Sequence, residues 1–150
     1  MPQTLAAMLP YIPPGLAREL LAEPALRPHV EQFPATVLFA DISGFTPLTE
    51  ALAQRGAEGP EEMTHLLNAY FSRLIAAIEA EGGEVVKFSG DALTALFPAT
   101  TESVGHAVRQ AVEAAAAMHA LMGDFATLPT SAGPMARLML TPTLLSATAG

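Results

Sequence analysis

Short apolar runs alternate in this chain with two long amphipathic segments, and few architectures accommodate that alternation. The clearer segment, residues 60–83, begins with a proline followed by two glutamates and closes on Gly82 and Gly83, which are helix start and stop signals. Apolar residues repeat along this segment at helical spacing: Met63, Leu67, Phe71, Leu74 and Ile78. The pattern predicts a long helix that presents one stripe to a core.

The apolar runs on either side of that helix have the length of strands. The first, "ATVLFADI", holds too few polar residues for an alternating strand, so we expect both of its faces to be buried. The second, "EVVKFSGDALTALFP", predicts a strand, a tight turn at residues 89–92 and a returning strand that Pro98 ends. Asp41 then lies at the end of one strand and Asp91 at the tip of a hairpin.

Weaker signals complete the order of elements. "TPLTEALAQRG" predicts a short helix that stops near Gly56, "ESVGHAVRQAVEAAAAMHALMG" predicts a second long helix, and "MARLML" is compatible with a last strand. The predicted order is β-α-α-β-β-α-β. It indicates an α/β sandwich, in which one sheet carries its helices on one face.

Domain boundaries follow from proline content and length. Prolines interrupt residues 1–34, which we interpret as a leader with one short helix, "GLARELLAE", that ends before Pro24. A chain of 150 residues suits one domain, which we expect over residues 35–150. The sequence after about residue 125 is small, apolar and weakly patterned, so we expect a truncated and divergent end there.

Charge and cysteine content exclude several function classes. The net charge is −8 and no basic stripe is present, so we expect no nucleic acid partner. An acidic chain that handles a polyanionic substrate needs a bridging cation. The absence of cysteine excludes disulfides and thiolate zinc sites, and no stretch approaches the roughly 20 apolar residues that span a bilayer. The start also lacks a secretory signal, so we expect a cytoplasmic protein.

Asp41 and Asp91 are the candidate metal ligands. If their two strands are neighbours, both carboxylates project from one end of the sheet, beside the start of a helix. Two hard oxygen ligands next to a helix N-terminus suit Mg²⁺ with a phosphate, and Gly44 leaves room for phosphate oxygens to approach the turn. Each residue taken alone also has an ordinary structural explanation, because aspartate commonly caps helices and forms turns.

Two motifs in this order carry a family resemblance. "FADISGFTPLTE", followed after the long helix by "VVKFSGDALTALFP", resembles the catalytic domain of class III nucleotide cyclases, in particular the soluble adenylyl cyclase-like branch with paired catalytic domains. The resemblance runs from about Ala35 to about Pro98. It implies a ferredoxin-like nucleotide cyclase fold, incomplete at its C-terminus, that works as a head-to-tail dimer with a second cyclase domain.

The resemblance also implies roles for individual residues. Asp41 and Asp91 would bind two Mg²⁺ or Mn²⁺ ions with the backbone carbonyl of Ile42, and the amides of Gly44, Phe45 and Thr46 would bind phosphate oxygens. The reaction would convert ATP, or less readily GTP, to the cyclic nucleotide and pyrophosphate. Lys87 matches the position that reads the purine base. In paired domains that position also lines a second pocket for a regulator such as bicarbonate, and an exposed strand lysine with no such role is the alternative.

The chain departs from the family in one half of the site. In the family, an asparagine and an arginine stabilise the transition state. The sole asparagine of this chain is Asn68, and the sole arginine after Arg109 is Arg137. No Asn-x-x-x-Arg pattern is present. We therefore expect no transition-state catalytic residue in this chain and little activity without a partner. A catalytically inactive module that binds nucleotide or an anion is the alternative function, and a fragment without a ligand is a third.

Overall fold

A computed structural model of the chain describes most of the sequence. The described residues are 12–23, 30, 32–43, 45–54, 56, 58–100, 102–125, 129–130, 133–134 and 139–149. The helices are α1 (Pro14–Ala22), α2 (Phe45–Ala53), α3 (Glu58–Ala80) and α4 (Val104–Phe125). The strands are β1 (Phe33–Ser43), β2 (Glu84–Ser89), β3 (Ala92–Pro98), β4 (Pro129–Thr130), β5 (Gly133–Pro134) and β6 (Met139–Ala149).

The main sheet has the strand order β2-β3-β1-β6, and each neighbouring pair is antiparallel. This is the order of a ferredoxin-like βαββαβ fold, in which a hairpin and two helical crossovers fill one sheet. The predicted α/β sandwich and the predicted order of its main elements are confirmed. A separate two-stranded sheet pairs β4 with β5.

The core lies between the main sheet and the two long helices. On the sheet side Leu38, Leu93 and Phe97 are at most 1% exposed, and on the helix side Leu74, Ile78 and Met118 are fully buried. The predicted α3 stripe supplies two of these residues, and Tyr70 joins the core one position before Phe71. Burial of this apolar surface is the main stabilising term, at about 25 cal/mol per Å² removed from water.

Close contact between α2 and α3 depends on a glycine. A Cβ built on Gly59 would overlap the backbone carbonyl oxygen of Leu52, so no larger residue fits without movement of a helix. Leu48 and Leu52 of α2 are buried beneath this contact. The helix that follows β1 is therefore fixed against the start of α3, which begins two residues earlier than the sequence predicts.

The last strand is the main difference from the sequence-based expectation. β6 runs from Met139 to Ala149, through a segment that the sequence leaves without an assignment, and it pairs with β1 along its whole length from Phe33 to Ser43. The first four residues of the predicted strand "MARLML" lie outside the described residues. A strand with weak local signals forms here because β1 offers it a complete hydrogen-bonding edge.

The N-terminal helix α1 lies where the leader helix was predicted, and it contains no buried residue. It is joined to β2 through Glu84, whose carboxylate accepts hydrogen bonds from the backbone amide of Gly15 and from the guanidinium of Arg18. Across the described residues, no helix has the length and apolar character needed to cross a bilayer.

Candidate metal and nucleotide site

The two faces of β1 have different surroundings. Leu38 and Ala40 are at most 1% exposed and pack toward α3 and α4, whereas Phe39 between them is 39% exposed. Successive strand residues point to opposite faces, so Asp41 lies on the same face as Phe39. We call the sheet face opposite α3 and α4 the open face; it carries Val37, Phe39, Asp41, Glu84, Lys87, Thr94 and Leu96.

This arrangement corrects one expectation. The sequence predicts that both faces of β1 are buried, and for Phe39 this prediction is wrong. Helices α3 and α4 pack on one face, whereas α1 contacts the other face at Glu84 and leaves Phe39 exposed. An apolar run that is continuous in the sequence therefore alternates between core and surface around Phe39.

Asp91 is held in the tight turn between β2 and β3. Ser89 pairs with Ala92, so Gly90 and Asp91 form a two-residue turn. Gly90 has a φ of 65°, and the type II′ turn favours glycine at this first central position because an L side chain would be strained there. The turn at residues 89–92 was predicted, and the structure confirms it.

The antiparallel register brings the two aspartates to one end of the sheet. Ala40 of β1 pairs with Leu93 of β3, Asp41 follows Ala40 by one residue, and Asp91 precedes Leu93 by two. The strands are therefore the neighbours that the sequence-based argument required. Asp41 is half-buried and pairs on its other side with Thr141 of β6, so its backbone is fixed in the ladder.

The chemistry of this pair fits a divalent ion that is shared with a substrate. Among the described residues, no group of three or more histidine, cysteine, aspartate or glutamate side chains is placed to hold a metal. Two carboxylates are nevertheless a sufficient protein contribution for Mg²⁺, which commonly takes one or two carboxylates and completes its shell with water and substrate phosphates. Such a site is suited to binding its metal together with a phosphate group of a ligand.

The remaining groups predicted to bind the metal and the phosphate belong to the backbone next to Asp41. Past Ala40 the pairing of β1 with β3 ends, and Ile42 pairs with Leu140 of β6. Helix α2 begins at Phe45, only two residues after β1 ends, so Phe45 and Thr46 lie in its first turn, where amides have no partner within the helix. Gly44, predicted as the close approach point for phosphate, lies outside the described residues.

Lys87 lies on the open face. It pairs with Thr94, which in turn pairs with Phe39, so the three residues form one row across β2, β3 and β1. An irregularity between Val85 and Lys87 shifts the β2 register and places Lys87 on the same face as Glu84. The side chain of Lys87 is exposed, so its ammonium group is available to a ligand or a partner.

Two features of this region are not evident from the sequence. The exposure of Phe39 depends on which sheet face the helices cover, and no local signal reports that. Phe88, beside the hairpin turn, is 51% exposed and lies with its ring 5.4 Å from the ring of Phe71 on α3. Its place at the strand end was visible in the sequence, but its helix partner was not.

Comparison with known protein families gives a match over most of the chain. Residues 29–131 match the family described as Adenylate and Guanylate cyclase catalytic domain. The chain is 33% identical over 99 residues to adenylate cyclase type 10 of Oryctolagus cuniculus, which covers 65% of this chain and 6% of that protein. It is 40% identical over 62 residues to an adenylate cyclase of Anabaena cylindrica, covering 41% of this chain and 11% of the relative.

Solved structures give the same result. A bacterial light-regulated adenylyl cyclase superposes with a TM-score of 0.70 at 25% identity, over 97% of this chain and 40% of that one. The adenylyl cyclase CyaB from P. aeruginosa superposes with a TM-score of 0.62 at 28% identity, over 79% of this chain and 58% of that one. The chain thus spans a small part of the curated relatives and about half of these solved chains.

Proposed function

Because this chain belongs to the family of adenylate and guanylate cyclase catalytic domains, we propose that it acts as the metal-binding half of a purine nucleotide cyclase. The reaction is the conversion of ATP to 3′,5′-cyclic AMP and pyrophosphate, carried out with a second cyclase domain. The observation that carries the proposal is the register of β1 with β3, which brings Asp41 and Asp91 to one end of the sheet.

The chain's own residues would bind and orient the triphosphate. Asp41 and Asp91 hold Mg²⁺ or Mn²⁺ together with the backbone carbonyl of Ile42, and the first amides of α2, at Phe45 and Thr46, donate to phosphate oxygens. The bound ions would lower the pKa of the ribose 3′-hydroxyl and neutralise the pyrophosphate that leaves. The 3′-hydroxyl would give its proton to solvent water and its oxygen would form a bond to the α-phosphorus. The bond from that phosphorus to the pyrophosphate oxygen would break, and pyrophosphate would leave.

A partner domain would complete the site. The sole asparagine, Asn68, lies exposed on α3 in the helical layer, and the sequence after Arg109 offers no Asn-x-x-x-Arg pattern for the transition state. The open face, with exposed Phe39 and Lys87, is the surface on which the second domain would sit head to tail. In that assembly Lys87 contacts a purine ring, or an anion such as bicarbonate in a second pocket.

The test is a reconstitution in which only this chain supplies metal ligands. We would mix it with a complete cyclase domain whose own metal-binding aspartates are replaced by alanine, add Mn²⁺ and ATP, and measure cyclic AMP. The proposal expects activity from the mixture and little from either protein alone, since each missing transition-state donor costs roughly 10²–10³ in rate.

Matched variants identify the source of the activity. Asp41→Asn and Asp91→Asn should each reduce it by roughly 100-fold or more, since even outer-shell partners of a metal are worth about 10–100-fold. Glu50→Gln, which neutralises an exposed carboxylate on α2, should leave it unchanged. Full activity in both aspartate variants would contradict the proposed metal site.

One alternative is favoured by the missing asparagine and arginine. A catalytically inactive cyclase-like module could bind a nucleotide or an anion and regulate a partner. If this alternative holds, the chain should bind ATP, and no reconstituted mixture should produce cyclic AMP. The same experiment, with a binding measurement added, separates the two functions.

A further inference from the structure

The hairpin that carries Asp91 has few supports. Among the described strands, β2 lies at the edge of the sheet and pairs with β3 alone. Ser89 and Gly90 are exposed, and a Cβ built on Gly90 would meet no atom within 4 Å among the described residues. An edge hairpin with an uncovered tip bends easily, because marginal two-stranded ribbons need packing on one face to become ordered.

Phe88 supplies packing next to that tip. It pairs with Leu93, a residue 1% exposed on the helix side of the sheet, so the Phe88 side chain also projects toward the helices. Its ring meets the ring of Phe71 edge to face, with centroids 5.4 Å apart and an interplanar angle of 86°. This contact joins the end of β2 to α3, three residues before Asp91.

Phe71 is itself held by a set of aromatic contacts that reaches the core. Its ring lies 5.6 Å from that of Tyr70, and the Tyr70 ring lies 5.1 Å from that of Phe125 on α4, both edge to face. Tyr70 and Phe125 are 2% exposed. The surface contact at Phe88 therefore rests on a rigid part of the helical layer and not on a second mobile side chain.

We propose that Phe88 is a positioning residue for the metal site: its contact with Phe71 fixes the turn that carries Asp91 relative to the end of β1, which carries Asp41. This inference rests on the proposed function. Mg²⁺ requires near-ideal octahedral geometry at about 2.0–2.1 Å, so a hairpin that moves by a fraction of an ångström loses affinity.

The experiment compares ring-deleting and ring-keeping variants. Phe88→Ala removes the contact, and Phe88→Tyr keeps the ring and places a hydroxyl on a side chain that already reaches solvent. Val112→Ala is the control, since Val112 is 48% exposed on α4. We would measure the Mn²⁺ dissociation constant by electron paramagnetic resonance in the presence of a non-hydrolysable ATP analogue, and amide exchange over residues 87–93 without metal.

We expect Phe88→Ala to weaken Mn²⁺ binding and to speed exchange of the hydrogen-bonded hairpin amides, each by roughly two- to tenfold. That factor corresponds to the free energy of one edge-to-face aromatic contact. Phe88→Tyr and Val112→Ala should match the wild type in both measurements. Phe88→Leu, which keeps apolar volume without a ring, serves if the alanine variant fails to fold, and it should show the same two changes.

The outcomes separate this inference from the function on which it rests. Unchanged hairpin exchange in Phe88→Ala would overturn the inference whatever the metal result. Faster exchange with unchanged Mn²⁺ affinity would also overturn it, because the ring would then order the hairpin without positioning the ligand. A wild-type protein that binds no Mn²⁺ with nucleotide would instead count against the proposed metal site.

Discussion

The carboxylate of Glu84, at the start of β2, accepts a hydrogen bond of 2.8 Å from the backbone amide of Gly15, in the first turn of α1. The same carboxylate binds the guanidinium of Arg18 one turn later. The residue before the helix, Pro13, provides no side-chain cap, so Glu84 caps α1 from another part of the fold. Its side chain is 15% exposed, whereas that of Arg18 is 71% exposed.

We expect replacement of Glu84 to release α1 without unfolding the domain. The helix has no buried residue, and two of its residues, Gly15 and Arg18, bind the Glu84 carboxylate. Glu84→Ala should raise amide exchange over residues 15–22 by roughly tenfold or more, since the helix loses a cap and a charged partner. Amides of α3 and α4 should keep their protection.

Two further variants make this prediction specific. Glu84→Gln keeps an oxygen acceptor for Gly15 and should release the helix less than alanine does. Glu79→Ala removes an exposed carboxylate from α3 and should change nothing. Exchange over α1 that is equal in the wild type and in Glu84→Ala would show that other contacts hold the helix.

Lys87 should affect ligand choice and not metal binding. In the reconstituted pair, Lys87→Ala should lower the preference for ATP over GTP, or the response to bicarbonate, by roughly tenfold, as expected for one lost hydrogen bond from a charged donor. Its Mn²⁺ affinity should remain that of the wild type. Arg109→Ala, which removes an exposed cation from α4 in the helical layer, is the control. Loss of metal affinity with unchanged purine and anion responses would contradict this role.

Thr36→Val should stabilise the domain. The Thr36 side chain is buried in β1, and its hydroxyl has no hydrogen-bond partner among the described residues. A buried hydroxyl without a partner costs about 1–3 kcal/mol, so a methyl group in its place should raise the free energy of unfolding by about 1 kcal/mol. Thr94→Val on the open face should change it by less than about 0.5 kcal/mol. Urea denaturation measures both, and destabilisation by Thr36→Val would reveal a partner for the hydroxyl.

Tyr70 should make stability fall at alkaline pH. Burial raises the pKa of the Tyr70 phenol well above its ordinary value of 10.0, because the charged form loses hydration. The unfolded chain then loses this proton near pH 10, whereas the folded chain keeps it. The contribution of the neutral Tyr70 to the free energy of unfolding is therefore complete below pH 10 and is lost as the pH rises further. Wild type should lose more stability than Tyr70→Phe between pH 8 and 11. Parallel losses in urea titrations at the two pH values would contradict the assignment.

Sequence reasoning succeeded where the signal is local. Helical periodicity correctly places Leu74 and Ile78 of α3 in the core, and the turn at Gly90 follows from the φ preference of glycine. For Leu67 the predicted stripe is wrong, because Leu66 packs against the core instead. The order of the main elements and the family motifs were also readable. The roles of Asp41, Asp91 and Lys87 stay predictions, and the register of β1 with β3 brings the two aspartates to one end of the sheet.

Sequence reasoning failed where an outcome depends on distant residues. The strand after Met139 has weak propensity and forms along the edge of β1, nearly a hundred residues earlier in the chain. The exposure of Phe39 was missed because an apolar run looks the same whether one face or both faces are covered. The contacts of Glu84 with Gly15 and Arg18 join residues far apart in sequence, and no sequence motif predicts these contacts.

The sequence by itself determined the kinds of elements, their order and the two motifs that bear the aspartates, because these depend on periodicity, turn chemistry and side-chain types within a few residues. Only the tertiary structure decided that Ala40 pairs with Leu93, that Phe39 stays exposed on the face opposite α3 and α4, and that the ring of Phe88 contacts the ring of Phe71. The strand register, and which face of the sheet the helices cover, depend on competition among long-range contacts for the same buried surface. A local sequence pattern does not indicate which of these contacts forms.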